Sequence, residues 1–138
     1  MQSFTNVNDN KINMYPTEIS DAEALIMQLL WAQHPQSAEQ LCAALCTAQG
    51  WQAATVKTLL NRLLKKNAIR AEKESRYFLY SPVLKQEKWV ATESKGFLQR
   101  VFDGQLAPMV AHFSQSKQLS KTDIAELKKL IQDLENER

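Results

Sequence analysis

The reading of this chain turns on the stretch Thr55-Val56-Lys57-Thr58-Leu59-Leu60-Asn61-Arg62-Leu63-Leu64-Lys65-Lys66. Wound at about 100° per residue, it gathers Val56, Leu59, Leu60, Leu63 and Leu64 on one side and Thr55, Thr58, Asn61, Arg62 and Lys65 on the other. The first set suits a protein core. The second is a row of hydrogen-bonding and cationic groups. A solvated helix face usually alternates charge sign, because Glu–Lys pairs one turn apart stabilise it. Here Lys57, Arg62, Lys65 and Lys66 share a helix with no carboxylate. The helix macrodipole accounts for Lys65 and Lys66 at the C-terminal end, but not for Lys57 or Arg62. A face of this kind points to nucleic acid.

The charge around it is local. The whole chain carries only +2, so bulk charge makes no case. Residues 53–80 hold Lys57, Arg62, Lys65, Lys66, Arg70, Lys73 and Arg76 against Glu72 and Glu74 alone. Residues 1–52 hold Lys11 against Asp9, Glu18, Asp21, Glu23 and Glu39. A positive field confined to one segment is what a docking face needs.

Two helices are expected ahead of this stretch. Ser20-Asp21-Ala22-Glu23 is a capping box, opening a helix to about Gln33 with Leu25, Ile26, Leu29 and Leu30 inward and Trp31 as a core anchor. His34-Pro35-Gln36 breaks it. Ser37-Ala38-Glu39-Gln40 caps the second, with Ala38, Leu41, Leu45 and Ala48 as its apolar stripe and Gly50 as its C-terminal cap. Three helices joined by short links form a helix-turn-helix. Beyond Asn67 the period changes. Ile69–Lys73 and Arg76–Ser81, split by Glu74-Ser75, predict a hairpin closed by Pro82, with Lys73 and Arg76 at its tip. A hairpin directly after the third helix makes a wing.

The expected fold is therefore mainly α with a small β-hairpin. Residues 1–17 form a flexible N-terminal tail, 18–83 a winged helix-turn-helix DNA-binding domain, and 84–138 a helical C-terminal dimerisation region. In that last region Trp89, Phe97, Val101 and Phe102 form an apolar arc, and Ile124, Leu127, Ile131 and Leu134 repeat at coiled-coil spacing. These helices are too few and too apolar to shield one another, so a homodimer is expected.

Other classes leave little trace. No Cys/His or Ser/His/Asp arrangement, phosphate loop or paired-carboxylate site is present, which argues against an enzyme. His34 and His112 are isolated, and no second cluster completes a metal site with Cys42 and Cys46. Neither a cofactor nor a metal is expected. The two cysteines read as small, partly buried apolar residues in a reducing compartment; the alternative is a metal- or redox-responsive regulator built on them. A second alternative is a winged helix that holds a protein. No apolar run is long enough to span a membrane and no signal pattern opens the chain, so the expected location is cytoplasmic.

Ile19-Ser20-Asp21-Ala22-Glu23, Leu30-Trp31, the run from Thr55 to Leu63, and Tyr77-Phe78-Leu79-Tyr80-Ser81-Pro82 together resemble the penicillinase-repressor family of bacterial winged-helix regulators, over about residues 16–136. The resemblance implies a transcriptional repressor that binds a palindromic operator as a homodimer, with its third helix in the major groove. It differs in two places. Antibiotic-responsive members are inactivated by cleavage of an Asn-Phe bond, and the matching position here is His112-Phe113. Copper-responsive members carry a cysteine-rich C-terminal metal site, and this chain has no cysteine after Cys46. The expected partners are duplex DNA, a second copy of the chain, and an inducer or protease that the sequence does not identify.

In the expected complex Thr55, Lys57, Thr58, Asn61 and Arg62 face the major groove. Asn61 and Arg62 are the base readers, because their planar groups can bond two edge atoms at once. Lys65, Lys66, Lys73 and Arg76 hold the phosphate backbone.

Overall fold

A computed structural model describes residues 18–137; the expected tail, residues 1–17, lies outside them. The elements run α1 (Asp21–Ala32), α2 (Ala38–Gln49), α3 (Ala53–Lys65), β1 (Ile69–Glu74), β2 (Tyr77–Pro82), α4 (Gln86–Phe102), α5 (Leu106–Gln115) and α6 (Lys121–Asn136). The order is that of a winged helix followed by three further helices.

Local chemistry sets the boundaries. At α1 the Ser20 hydroxyl accepts from the Glu23 backbone N–H, and the Glu23 carboxylate accepts from the Ser20 N–H in return. Ser37 with Gln40 repeats the device at α2, and Ser120 with Asp123 at α6. Each box satisfies two backbone donors that a helix start otherwise leaves unpaired. Gly50 ends α2 at φ 71°, a left-handed conformation that costs glycine nothing and lets the chain turn sharply into α3.

β1 and β2 pair antiparallel from Ile69 opposite Pro82 to Glu74 opposite Tyr77. Ser75 and Arg76 form the turn, with Ser75 at φ 60°. Gln36 and Tyr80 exchange backbone hydrogen bonds of 3.0 and 2.8 Å. That bridge ties the link between α1 and α2 to the wing, so the hairpin is anchored at its base and open at its tip.

The core sits among α1, α2, α3 and the base of the wing. Ile26, Met27 and Leu30 meet Leu41 and Leu45, and Val56, Leu59, Leu60 and Leu63 close over them with Ala68 and Ile69. The inward face of α1 is turned by one position from expectation. Met27 is fully buried, whereas Leu25 and Leu29 are half-buried, so the stripe runs Glu23, Ile26, Met27, Leu30. Glu23, read from sequence only as a cap, is 1 % exposed.

The described chain divides into two compact units, the boundary falling between Thr92 and Glu93. In the second unit no residue of α5 or α6 is buried. Phe97 and Phe102 meet edge-on at 6.0 Å, and His112 stands between Phe102 and Phe113. Around this small cluster Val101, Leu106, Ile124, Leu130, Ile131 and Leu134 remain exposed. An open apolar trough runs between α5 and α6, lined by Leu106, Val110, Ile124, Leu127 and Ile131.

Candidate nucleic-acid interface

With one side of α3 buried, the opposite side is fixed outward. Lys57, Thr58, Asn61, Arg62 and Lys65 are exposed and Thr55 is half-buried near the N-terminal end. Among the described residues no carboxylate pairs with Lys57, Arg62 or Lys65. The Thr58 hydroxyl donates to the Ala54 carbonyl at 3.0 Å. Its proton is therefore spent within the helix, and it offers the outside a methyl group and an acceptor. The sequence-derived groove set is thus one contiguous face. Lys73 and Arg76 are exposed at the wing tip. Among the described residues neither is in an ion pair with Glu72 or Glu74.

Lys66 departs from expectation. Its Nζ lies 2.6 Å from Glu23 Oε1 and donates to the Glu18 carbonyl at 2.8 Å. It follows Leu59 by seven residues, which places it almost directly above that core residue, and it stands at the helix end facing α1. It ties α3 to α1. The consequence for Glu23 is electrostatic. Burial pushes its pKa up, but the hydrogen bonds from Lys66 and Ser20 and the Lys66 charge outweigh burial and hold it below the ordinary value of 4.5. In the wing, burial raises the Tyr80 hydroxyl.

Sequence reasoning missed this tie, although a signal was present. Glu23 precedes Ile26 by three and Met27 by four, which puts a carboxylate on the core stripe of α1, and a carboxylate there needs a cation.

Two further contacts were not expected from the sequence. Trp89, assigned to the dimer face, stacks on Trp31 with ring centroids 5.3 Å apart, while Trp31 Nε1 donates to the Leu84 carbonyl at 2.8 Å. These indoles close the first unit because α4 begins four residues past the wing, which brings its first turn against the end of α1. Cys42 and Cys46, read as separate apolar residues, are joined by a disulfide. Four residues apart on α2, they share one side of the helix and sit half-buried against the core. Among the described residues no group of His, Cys, Asp and Glu could hold a metal ion, and no helix is long and apolar enough to cross a membrane.

A core-backed helix that turns a cationic, amide- and hydroxyl-bearing face outward, beside an open cationic hairpin tip, defines a winged-helix DNA-binding regulator. Comparison with known proteins narrows the class. Residues 19–133 match the family model described as penicillinase repressor. The chain is 32% identical over 121 residues to the penicillinase repressor of Bacillus licheniformis, covering 88% of this chain and 94% of that protein. It is 29% identical over 114 residues to the methicillin resistance regulatory protein MecI of Mammaliicoccus sciuri, covering 83% and 93% respectively. The solution structure of the Bacillus licheniformis BlaI monomeric form in complex with the blaP half-operator aligns at a TM-score of 0.47 and 32% identity, over 52% of this chain and 88% of that one. The chain belongs to the penicillinase repressor family, a family of transcriptional repressors and not of enzymes.

Proposed function

We propose that this repressor binds a palindromic operator as a two-fold homodimer, in the cytoplasm, with α3 of each copy in the major groove. The observation that carries the reading is the outward face of α3, where Lys57, Asn61, Arg62 and Lys65 stand exposed with no acidic partner among the described residues. Arg62 and Asn61 read bases, since a guanidinium matches the two acceptors of guanine and a carboxamide matches adenine. Thr55 touches a thymine methyl or a phosphate oxygen, and Thr58, whose proton goes to the Ala54 carbonyl, presents its methyl to a thymine methyl. Lys57 and Lys65, with Lys73 and Arg76 on the wing, neutralise the backbone and supply affinity without sequence choice. Lys66 is left out of the contact set because Glu23 holds it.

In this reading residues 18–83 bind DNA and residues 84–138 dimerise. The dimer is supported by the second unit itself. Phe97, Val101, Ile124, Ile131 and Leu134 are all exposed, with Phe102 and Leu127 half-buried beside them. An exposed apolar surface of this kind on paired helices is what a partner helix covers. A two-fold pair requires half-sites related by a dyad and spaced by whole turns of the duplex. No inducer is assigned. The His112-Phe113 bond lies within α5, where the helical backbone does not present an extended segment to a protease.

Selection of duplexes from a random pool by the full chain tests this directly. The expected product is an inverted repeat, and Arg62→Ala should relax preference at one symmetric pair of positions at a cost of about 1–3 kcal/mol per contact. If Arg62→Ala and Lys65→Ala returned the same sequence profile, the division into readers and holders would fall.

A further inference from the structure

We propose that Cys42 and Cys46 form a reversible thiol–disulfide couple that tunes operator binding through the packing of α2 under the recognition helix. The two are the chain's only cysteines, so the couple has no internal competitor. They are joined in the structure and half-buried, each directly after a core leucine: Leu41 precedes Cys42 and Leu45 precedes Cys46. Those leucines form the face of α2 that packs with Val56, Leu59 and Leu60 of α3. The sulfurs therefore sit on the same turn of helix that supports the DNA-facing element.

Two general considerations turn this placement into a device. A protein that works on DNA meets the thiol pools of the cell interior, where a disulfide is seldom a permanent structural bond and more often one state of two. Side chains four apart on a regular helix have Cβ atoms about 5–6 Å apart, whereas a disulfide holds them at about 3.5–4.5 Å. Making and breaking the bond thus changes the spacing of one turn of α2, and interdigitated core side chains transmit such changes rather than absorb them.

The chemistry is thiol–disulfide exchange with a low-molecular-weight disulfide. One cysteine thiolate attacks a sulfur of the small disulfide, forming a mixed disulfide and expelling one small thiolate. The second cysteine thiolate attacks the protein sulfur of that mixed disulfide and expels the other. The protein's two thiols are oxidised and lose two protons; the small disulfide is reduced to two thiols. An excess of dithiol runs the sequence backwards.

In the disulfide-closed form Leu41 and Leu45 pack under α3, and the tighter binding is assigned to this oxidised form. The test uses the full chain, oxidised with glutathione disulfide or reduced with dithiothreitol, against a duplex selected from a random pool. Oxidised protein should take up no alkylating reagent and reduced protein two equivalents. Affinity should drop on reduction at least about fivefold, the low end of ordinary coupling between sites. The Cys42→Ser, Cys46→Ser pair, or the Ala pair if Ser is not tolerated, should make affinity indifferent to both reagents. Hydrogen exchange along α3 should also differ between the two states in the absence of DNA. Equal or tighter binding by the reduced form, bridges only between chains, or unchanged exchange in α3 would each overturn the proposal. Failure to select any duplex, with α3 exchange still redox-sensitive, would instead count against the reading of the DNA face.

Discussion

The two units of this chain are built from the same kinds of residue and end in opposite states. In the first, leucines, isoleucine and methionine at helical spacing close completely: Ile26, Met27, Leu30, Leu41, Leu60 and Leu63 are fully buried. In the second, Leu106, Leu130, Ile131 and Leu134 are more than half exposed. Three helices and a hairpin meeting from different directions can enclose a core, whereas a few helices presenting stripes along their length leave them open. The lesson is that apolar spacing specifies which face a helix must bury, and topology decides whether the burying surface comes from the same chain. The first unit presents chemistry on the outside of a finished core. The second leaves its apolar face exposed.

The largest effect should come from turning that contrast into mutations. Leu60→Ala, inside the closed core, should cost about 2–5 kcal/mol in urea unfolding. Leu134→Ala, measured dilute enough for single chains, should cost no more than about 0.5 kcal/mol. The Leu127→Asp, Leu134→Asp pair should leave the first unit folded and convert the sedimenting species from two chains to one, with loss of operator affinity. Unchanged sedimentation would mean that the exposed stripe covers nothing.

Next in size is the tie that joins α1 to α3. Glu23→Gln removes a buried charge pair and should cost about 1–3 kcal/mol at neutral pH. Because the folded state holds this carboxyl below its ordinary value of 4.5, its contribution is present above about that pH and is lost as pH falls through the lowered folded value. The stability gap between wild type and Glu23→Gln should therefore narrow on acidification from about 4.5 downward. A gap independent of pH would assign the loss to shape rather than charge.

The smallest effect separates two adjacent lysines. Lys65→Ala should lower the salt slope of operator binding by about one. Lys66→Met should leave that slope intact while lowering stability, because its nitrogen serves Glu23 and the Glu18 carbonyl. Equal losses of slope would return Lys66 to the phosphate contacts.

How far the sequence could be read follows the same division. Features set by near neighbours were legible: the capping boxes of α1 and α2, the Gly50 cap, the period change into the wing, and the opposed faces of α3 all depend on residues a few places apart. What depended on distant partners was not. Lys66 looks like one more cation at a helix end until α1 folds back and brings Glu23 to it across 43 residues. Trp89 belongs to an aromatic helix by spacing, and only the return of α4 to α1 shows that Trp31 takes it. Cys42 and Cys46 stand four residues apart, but spacing alone does not distinguish two thiols from a bond. The family resemblance supplied the word repressor, which the residues by themselves could not.

The central claim is that two copies of the α3 face, related by a dyad, engage one duplex. Hydroxyl-radical footprinting of the full chain on a selected operator tests it most directly. Two equal protected patches should appear, mirrored about a centre and a whole number of turns apart, each turn about 10 base pairs. A single one-sided patch, or two patches repeating head to tail, would contradict it.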